Sequence, residues 1–179
     1  DQRPILGIGH EHDSGIALFE PGGLTFAANE ERFNRQKFTK ALPEASLVSL
    51  LQTTKRHGDD IGSVAVGSRM NSPTVVEDWM KVPLPFRVIF EFLSLTRLDR
   101  LFFGTVAGAT FVAWAIASAT NPFRMRRLRA LLRRHGISAP MRLFDHHYVH
   151  ATTALVGSGF PRALVITIDA QGDGLCSTV

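Results

Sequence analysis

Residues Met141–Val179, MRLFDHHYVHATTALVGSGFPRALVITIDAQGDGLCSTV, restrict the fold more than any other stretch of the chain. His146 and His150 lie four residues apart in its first half. On a helix this spacing puts both imidazoles on one face, with Cβ atoms about 5–6 Å apart, and makes them a two-point metal clamp. Pro161 should end the helical pattern. ALVITID then reads as a buried strand rich in β-branched residues, delivering Asp169 into a turn of Gln171, Gly172, Asp173 and Gly174. Ligand sites in α/β sheets lie beyond the carboxyl ends of strands, where such turns present backbone N–H groups and a carboxylate. On spacing alone, helix capping and core roles compete with ligation, because two ligands do not complete a metal site. No glutamate stands between the histidines, which counts against a zincin-type protease.

The chain has 179 residues, 45% of them hydrophobic, enough for one substantial core. Its single cysteine, Cys176, supports no internal disulfide framework, and the N-terminus lacks the basic region and apolar core of a secretory signal. A reducing, cytoplasmic setting is expected. From Pro4 to Asn29 the pattern predicts three strands as an antiparallel meander: ILGIGH, DSGIALFE, a strong turn at Pro21-Gly22-Gly23, and LTFAANE. His10, His12, Asp13 and Ser14 occupy the first turn. Asp13 and Ser14 suit either side-chain to backbone turn bonds or a site, whereas for His12 the site role is favoured.

After Glu30 the run EERFNRQKF is too charged for core and reads as a surface loop presenting Arg32, Arg35 and Lys37, anchored by Phe33 and Phe38. A helix should follow from about Pro43 to His57, with Leu47, Leu50 and Leu51 on its apolar face and Gly58 as its stop. Ser63–Gly67, SVAVG, is then a short buried strand, parallel to the first because a helix-bearing crossover joins them.

Between Asn71 and Asn121, prolines at 73, 83 and 85 argue for loop and PFRVIFEFLSLTRLDRLFF for an amphipathic helix. The 19 uncharged residues from Leu101 to Ala119 are just long enough to cross a bilayer. Their Gly, Ala, Ser and Thr content favours a buried or interface helix over a membrane span. The net charge of +4 conceals six arginines within RMRRLRALLRR (124, 126, 127, 129, 133 and 134), without which the chain sums to −2. Met125, Leu128, Leu131 and Leu132 recur at helical spacing, so a helix packed on the domain with a solvated basic face is preferred over a phosphate or anionic-membrane patch.

This order of elements fits a ribonuclease H-like lobe followed by the first hairpin of a second one. Four segments, ILGIGHEHDSGIALFEPGG, NEERFNRQKF, DHHYVHATTAL and ALVITIDAQGDG, occur in the order seen in the N-terminal part of the NodU/CmcH-type O-carbamoyltransferases, which the chain resembles. The resemblance implies an α/β fold of the actin-like ATPase (ASKHA) class, similar to the Kae1/TsaD proteins, with a mixed sheet flanked by helices. Residues 1–157 would form the first lobe, with a helical insertion at about 71–135, and 158–179 the start of a truncated second lobe. It further implies carbamoyl transfer in two steps. Carbamoyl phosphate and ATP give a carbamoyl-adenylate at a YrdC-like domain absent from this sequence, and the Kae1-like site passes the carbamoyl group to a hydroxyl of a small-molecule acceptor. The chain alone is therefore expected to be catalytically incomplete.

Carried over residue by residue, His146 and His150 match the family's metal ligands, with iron(II) or another divalent ion expected, a further carboxylate coming from outside the sequence, and His147 a competing neighbour. His12 matches the N-terminal histidine placed to take a proton from the acceptor hydroxyl, a role suited to an imidazole. Asp169 and Gly172 match a phosphate-facing loop that binds ATP or the adenylate. The family's glycine-richer turn is here DAQGDG, so Ala170 and Gln171 bear on how closely backbone approaches a phosphate. Arg32 and Lys37 match a basic loop for which anionic-ligand contact and a plain surface role stand level. The resemblance is compatible with a homodimer and implies neither a nucleic-acid nor a membrane partner. Two further readings stay open: a noncatalytic nucleotide- or partner-binding module, and a Kae1/TsaD-like protein of tRNA modification, to which the basic helix would be relevant.

Overall fold

The computed structural model describes residues 3–10, 13–69, 121–173 and 175–179. Strands β1 (Ile5–Gly9), β2 (Gly15–Glu20) and β3 (Gly23–Asn29) form the expected meander. Gly23, at φ 121°, supplies the backbone conformation that the turn into β3 needs. Both pairings are antiparallel, with Leu6 opposite Leu18 and Ile8 opposite Ile16. After the one-turn helix α1 (Glu31–Asn34) and helix α2 (Glu44–Thr54), β4 (Ser63–Val66) returns parallel to β1. Helix α3 (121–134) precedes β5 (Met141–Leu143), which pairs parallel to β4. The result is a mixed five-stranded sheet in the order β3-β2-β1-β4-β5.

Side-chain alternation gives the sheet two unlike faces. Leu6, Ile8, Ile16, Leu18, Val64 and Val66 share one face, since the registers pair them directly, and they are buried in one cluster with Leu47 and Leu50 of α2 and Met125, Leu128, Leu131 and Leu132 of α3. The apolar stripe of α3 is thus core, as its spacing predicts, and Arg126, Arg127, Arg129, Arg133 and Arg134 are exposed. The other face carries Gly7, Gly9, Ala17 and Ala65, residues too small to fill the space above the strands.

Helix α4 (His146–Ser158) follows β5, and β6 (Thr167–Gly172) and β7 (Leu175–Thr178) form a separate antiparallel pair.

Several local expectations are corrected. Helix α2 ends at Thr54 with Lys55 left-handed at φ 54°, three residues before Gly58. Gly58 is required for another reason: a Cβ there would overlap the carbonyl oxygen of His135 and the backbone of Gly136 and Ile137. Helix α4 stops at Ser158 because Gly159 takes the left-handed cap, so Pro161 lies beyond the helix it was expected to end. Asp169 lies within β6, ahead of the turn, and the apolar residues of ALVITID are largely exposed, with Ile168 at 84%. Among the described residues no element covers them. Phe33 and Phe38, expected to anchor the loop, are also exposed. Glu30, read with a surface loop, is buried at 4% exposure because it caps α2.

The insertion expected at about 71–135 lies outside the described residues up to position 120, as does the apolar stretch Gly104–Ala119. No described helix is long and apolar enough to cross a membrane.

Candidate metal centre

Strands β1, β4 and β5 run parallel, and their carboxyl ends lead into Gly9-His10, Gly67-Ser68 and Phe144-Asp145. A cleft of about 810 Å³ opens there, bordered by Gly9, Gly67, Ser68, His146, His150 and Asp169 among others. Small residues on β1 and β4 make the space, and α4 starts at its edge. Asp145 is the N-cap of α4, accepting a hydrogen bond from the Tyr148 N–H at 3.0 Å. This cap fixes where the helix begins, and therefore which residues of its first turns face the cleft.

His146 and His150 do share one face of α4, with their Nε2 atoms 3.0 Å apart. Asp169 reaches in from β6, its Oδ2 lying 2.7 Å from His146 Nε2 and 3.7 Å from His150 Nε2. These are the three residues among those described whose ligand atoms converge closely enough to hold a metal ion. The triangle they make is small: a single point about 2.1 Å from all three atoms exists, the usual bond length from nitrogen or carboxylate oxygen to a first-row divalent ion. Neutral imidazole presents one bare ring nitrogen. Two such nitrogens aimed at each other and at a carboxylate oxygen are mutually repulsive unless a proton or a cation lies between them. Two histidines and one carboxylate on one side of an ion is the set that leaves further positions open, and it suits iron(II). The residues present therefore fit a divalent metal.

Burial grades across the site. His146 is 9% exposed, and the side chain of His150, at 57%, faces the open cleft. His147, at 1%, turns away from the pair, and its Nδ1 lies 2.7 Å from Thr167 Oγ1, which in turn is 2.8 Å from Thr178 Oγ1. The neighbouring imidazole thus belongs to a buried polar chain that joins α4 to both strands of the hairpin.

The sequence assigns Asp169 to phosphate and looks for a carboxylate ligand elsewhere, whereas the structure brings Asp169 itself to the histidines. His12 lies outside the described residues, although His10 and Asp13 on either side of it border the cleft. Gly172 is the last residue of β6. Arg32 and Lys37 are exposed and do not border the cleft. Two residues that sequence reasoning passes over are Asp173 and Ser68. The Asp173 carboxylate accepts from the His146 N–H at 2.7 Å, and Ser68 Oγ donates to it at 2.9 Å. The only signal for Asp173 in the sequence is its place beside Gly174 in a turn; Ser68 carries none.

No protein-family model matches the chain. It is 24% identical over 169 residues to Nodulation protein NolNO of Sinorhizobium fredii, an alignment covering 90% of this chain and 20% of that protein. It is 26% identical over 171 residues to an uncharacterized protein of Methanocaldococcus jannaschii, covering 96% of this chain and 23% of that protein. The chain spans about a fifth of the length of these curated relatives.

Proposed function

We propose that this chain is the metal-bearing portion of an O-carbamoyltransferase, in which His146, His150 and Asp169 hold a divalent ion beside a nucleotide. The observation that carries this reading is the convergence of those three ligand atoms at the carboxyl ends of parallel strands. The likeness to a nodulation protein along nearly the whole chain supports it, as does the resemblance of four segments, in order, to the NodU/CmcH-type enzymes. The five-stranded mixed sheet is compatible with an actin-like ATPase lobe, which is the fold class proposed for it.

When bound, the ion supplies positive charge that neutralises nucleotide phosphate. The rest falls to the chain. Gly7, Gly9 and Gly67 keep the cleft floor free of side chains, so a ligand can approach the strand ends closely. In the proposed transfer, an acceptor hydroxyl oxygen forms a bond to the carbamoyl carbon, the bond from that carbon to the adenylate oxygen breaks, and AMP leaves with the electron pair. His12 takes the hydroxyl proton. The described residues His10 and Asp13 border the same cleft, which supports giving His12 this role. Arg32 and Lys37 draw no support from the cleft and are left out of the mechanism.

Metal analysis of the purified chain after incubation with iron(II) or cobalt(II) and desalting tests the proposal. About one ion per chain is expected for the wild type and background content for the His146→Ala/His150→Ala variant. Equal metal content in the two proteins would overturn it.

A further inference from the structure

Asp173 occupies the turn between β6 and β7 with φ at 49°, a left-handed conformation that aspartate tolerates and most residues avoid. Its carboxylate is directed away from the hairpin. Oδ2 accepts from the backbone N–H of His146 at 2.7 Å, Oδ1 accepts from Ser68 Oγ at 2.9 Å, and the N–H of Arg69 donates to both oxygens at 3.0 and 3.1 Å. Three segments remote in sequence thus meet on one side chain: the exit of β4, the first turn of α4 and the β6-β7 turn.

Helix capping alone does not account for this arrangement. Asp145 already caps α4, and a second cap has no need of Ser68 or Arg69. The arrangement bears instead on the metal centre, because His146 is gripped at both ends by one hairpin. Asp173 holds its backbone and Asp169 meets its ring nitrogen at 2.7 Å. The histidine pair rides on α4 and the carboxylate on β6, so the ligand triangle exists only while helix and hairpin keep their relative position. A two-stranded hairpin has little rigidity of its own.

Building on the metal reading above, we propose that Asp173 is the positioning residue of this centre, fixing the hairpin to α4 and to the end of β4 so that Asp169 stays in reach of His146 and His150. Asp173 acts through the backbone it holds.

The test compares the wild-type chain with Asp173→Ala, Asp173→Asn and Ser68→Ala. In metal-free protein, amide hydrogen exchange is followed by NMR. Asp173→Ala should speed exchange at the His146 and Arg69 amides about 10-fold or more while the amides of α2 and α3 keep their protection. In a cobalt(II) titration followed by visible absorption, the same variant should bind about 10-fold or more weakly, the range typical of lost outer support, with an altered ligand-field spectrum. Asp173→Asn, which keeps one acceptor oxygen, should recover part of both, and Ser68→Ala should lie closer to wild type. A purely stabilising role would lower the unfolding midpoint and leave the spectrum of the folded fraction unchanged; that result would overturn the proposal, as would unchanged exchange at His146 and Arg69. If the wild type binds no cobalt, the metal reading fails, and the exchange and the His146 and His150 ring resonances in metal-free protein still decide whether Asp173 fixes the hairpin to the helix.

Discussion

Glu30→Ala should be among the most destabilising single changes available outside the hydrophobic core. Its carboxylate lies at the N-terminus of α2, where Oε1 accepts from the Ala45 N–H at 3.0 Å and Oε2 accepts from the Ser46 N–H at 2.8 Å and from Ser46 Oγ at 2.7 Å. The backbone N–H of Glu30 itself donates to Ser14 O at 2.8 Å, so the residue joins the meander to the helix. Pro43 stands at the N-cap position of α2 and offers no side-chain acceptor, which leaves the first turn dependent on this distant carboxylate. A hydrogen bond to a charged group contributes about 1.5–3 kcal/mol, and the field of the helix N-terminus adds to it. Water can reach the half-buried Ala45 N–H after truncation, so the low end of that range applies there. The expected cost is about 3–5 kcal/mol, or roughly 6–20 °C in the unfolding midpoint for a chain of this length. Glu30→Gln keeps one acceptor and turns an NH₂ group on the remaining donors, costing about 1–3 kcal/mol. Urea unfolding should show a lower midpoint with an unchanged slope. Ser46→Ala removes the shortest of the three bonds, and the double variant with Glu30→Ala should cost less than the two single changes together. A loss below about 1 kcal/mol for Glu30→Ala, or strict additivity with Ser46→Ala, would refute the reasoning.

Gly58→Ala should destabilise by about 2–3 kcal/mol, because the added Cβ overlaps backbone at 135–137 with no flexible side chain to yield; a midpoint within error of wild type would count against that packing. Thr167→Val preserves shape but removes the hydroxyl between His147 Nδ1 and Thr178 Oγ1, leaving a buried ring nitrogen without that partner. A cost of about 1–3 kcal/mol in denaturant unfolding is expected, and a neutral result would mean that the polar chain contributes nothing.

The sheet was legible because its signals are local. Alternation in ILGIG and GIALFE, the Pro21-Gly22-Gly23 turn and the β-branched run at Ser63 each specify an element without reference to the rest of the chain, and the spacing of Met125, Leu128, Leu131 and Leu132 separates core from basic face in α3. The histidine pair was legible on the same grounds, since four-residue spacing on a helix is a purely local constraint. What sequence reasoning missed is nonlocal. Glu30 reads as surface because nothing near it shows that α2, capped by a proline, lacks an acceptor of its own. Asp173 bonds Ser68 and Arg69 more than 100 positions away. Charged residues that serve distant backbone look, in a linear reading, like solvated loops.

The same limit explains the two readings of Asp169, and electrostatics reconciles them. A carboxylate facing a phosphate with nothing between is repelled by it, and the repulsion grows as the cleft excludes water. The NodU/CmcH resemblance places this residue towards phosphate, whereas the structure places it on two imidazoles. Both placements hold if a cation stands between Asp169 and the nucleotide, because the carboxylate then meets the cation and the cation meets the phosphate. On this view His150, the most exposed of the three side chains, would mark the side from which a nucleotide approaches, and the nearly buried His146 the side closed by protein. Asp169 would then be required for nucleotide binding only while metal is present. Without metal, removing its negative charge should leave nucleotide affinity unchanged or raise it.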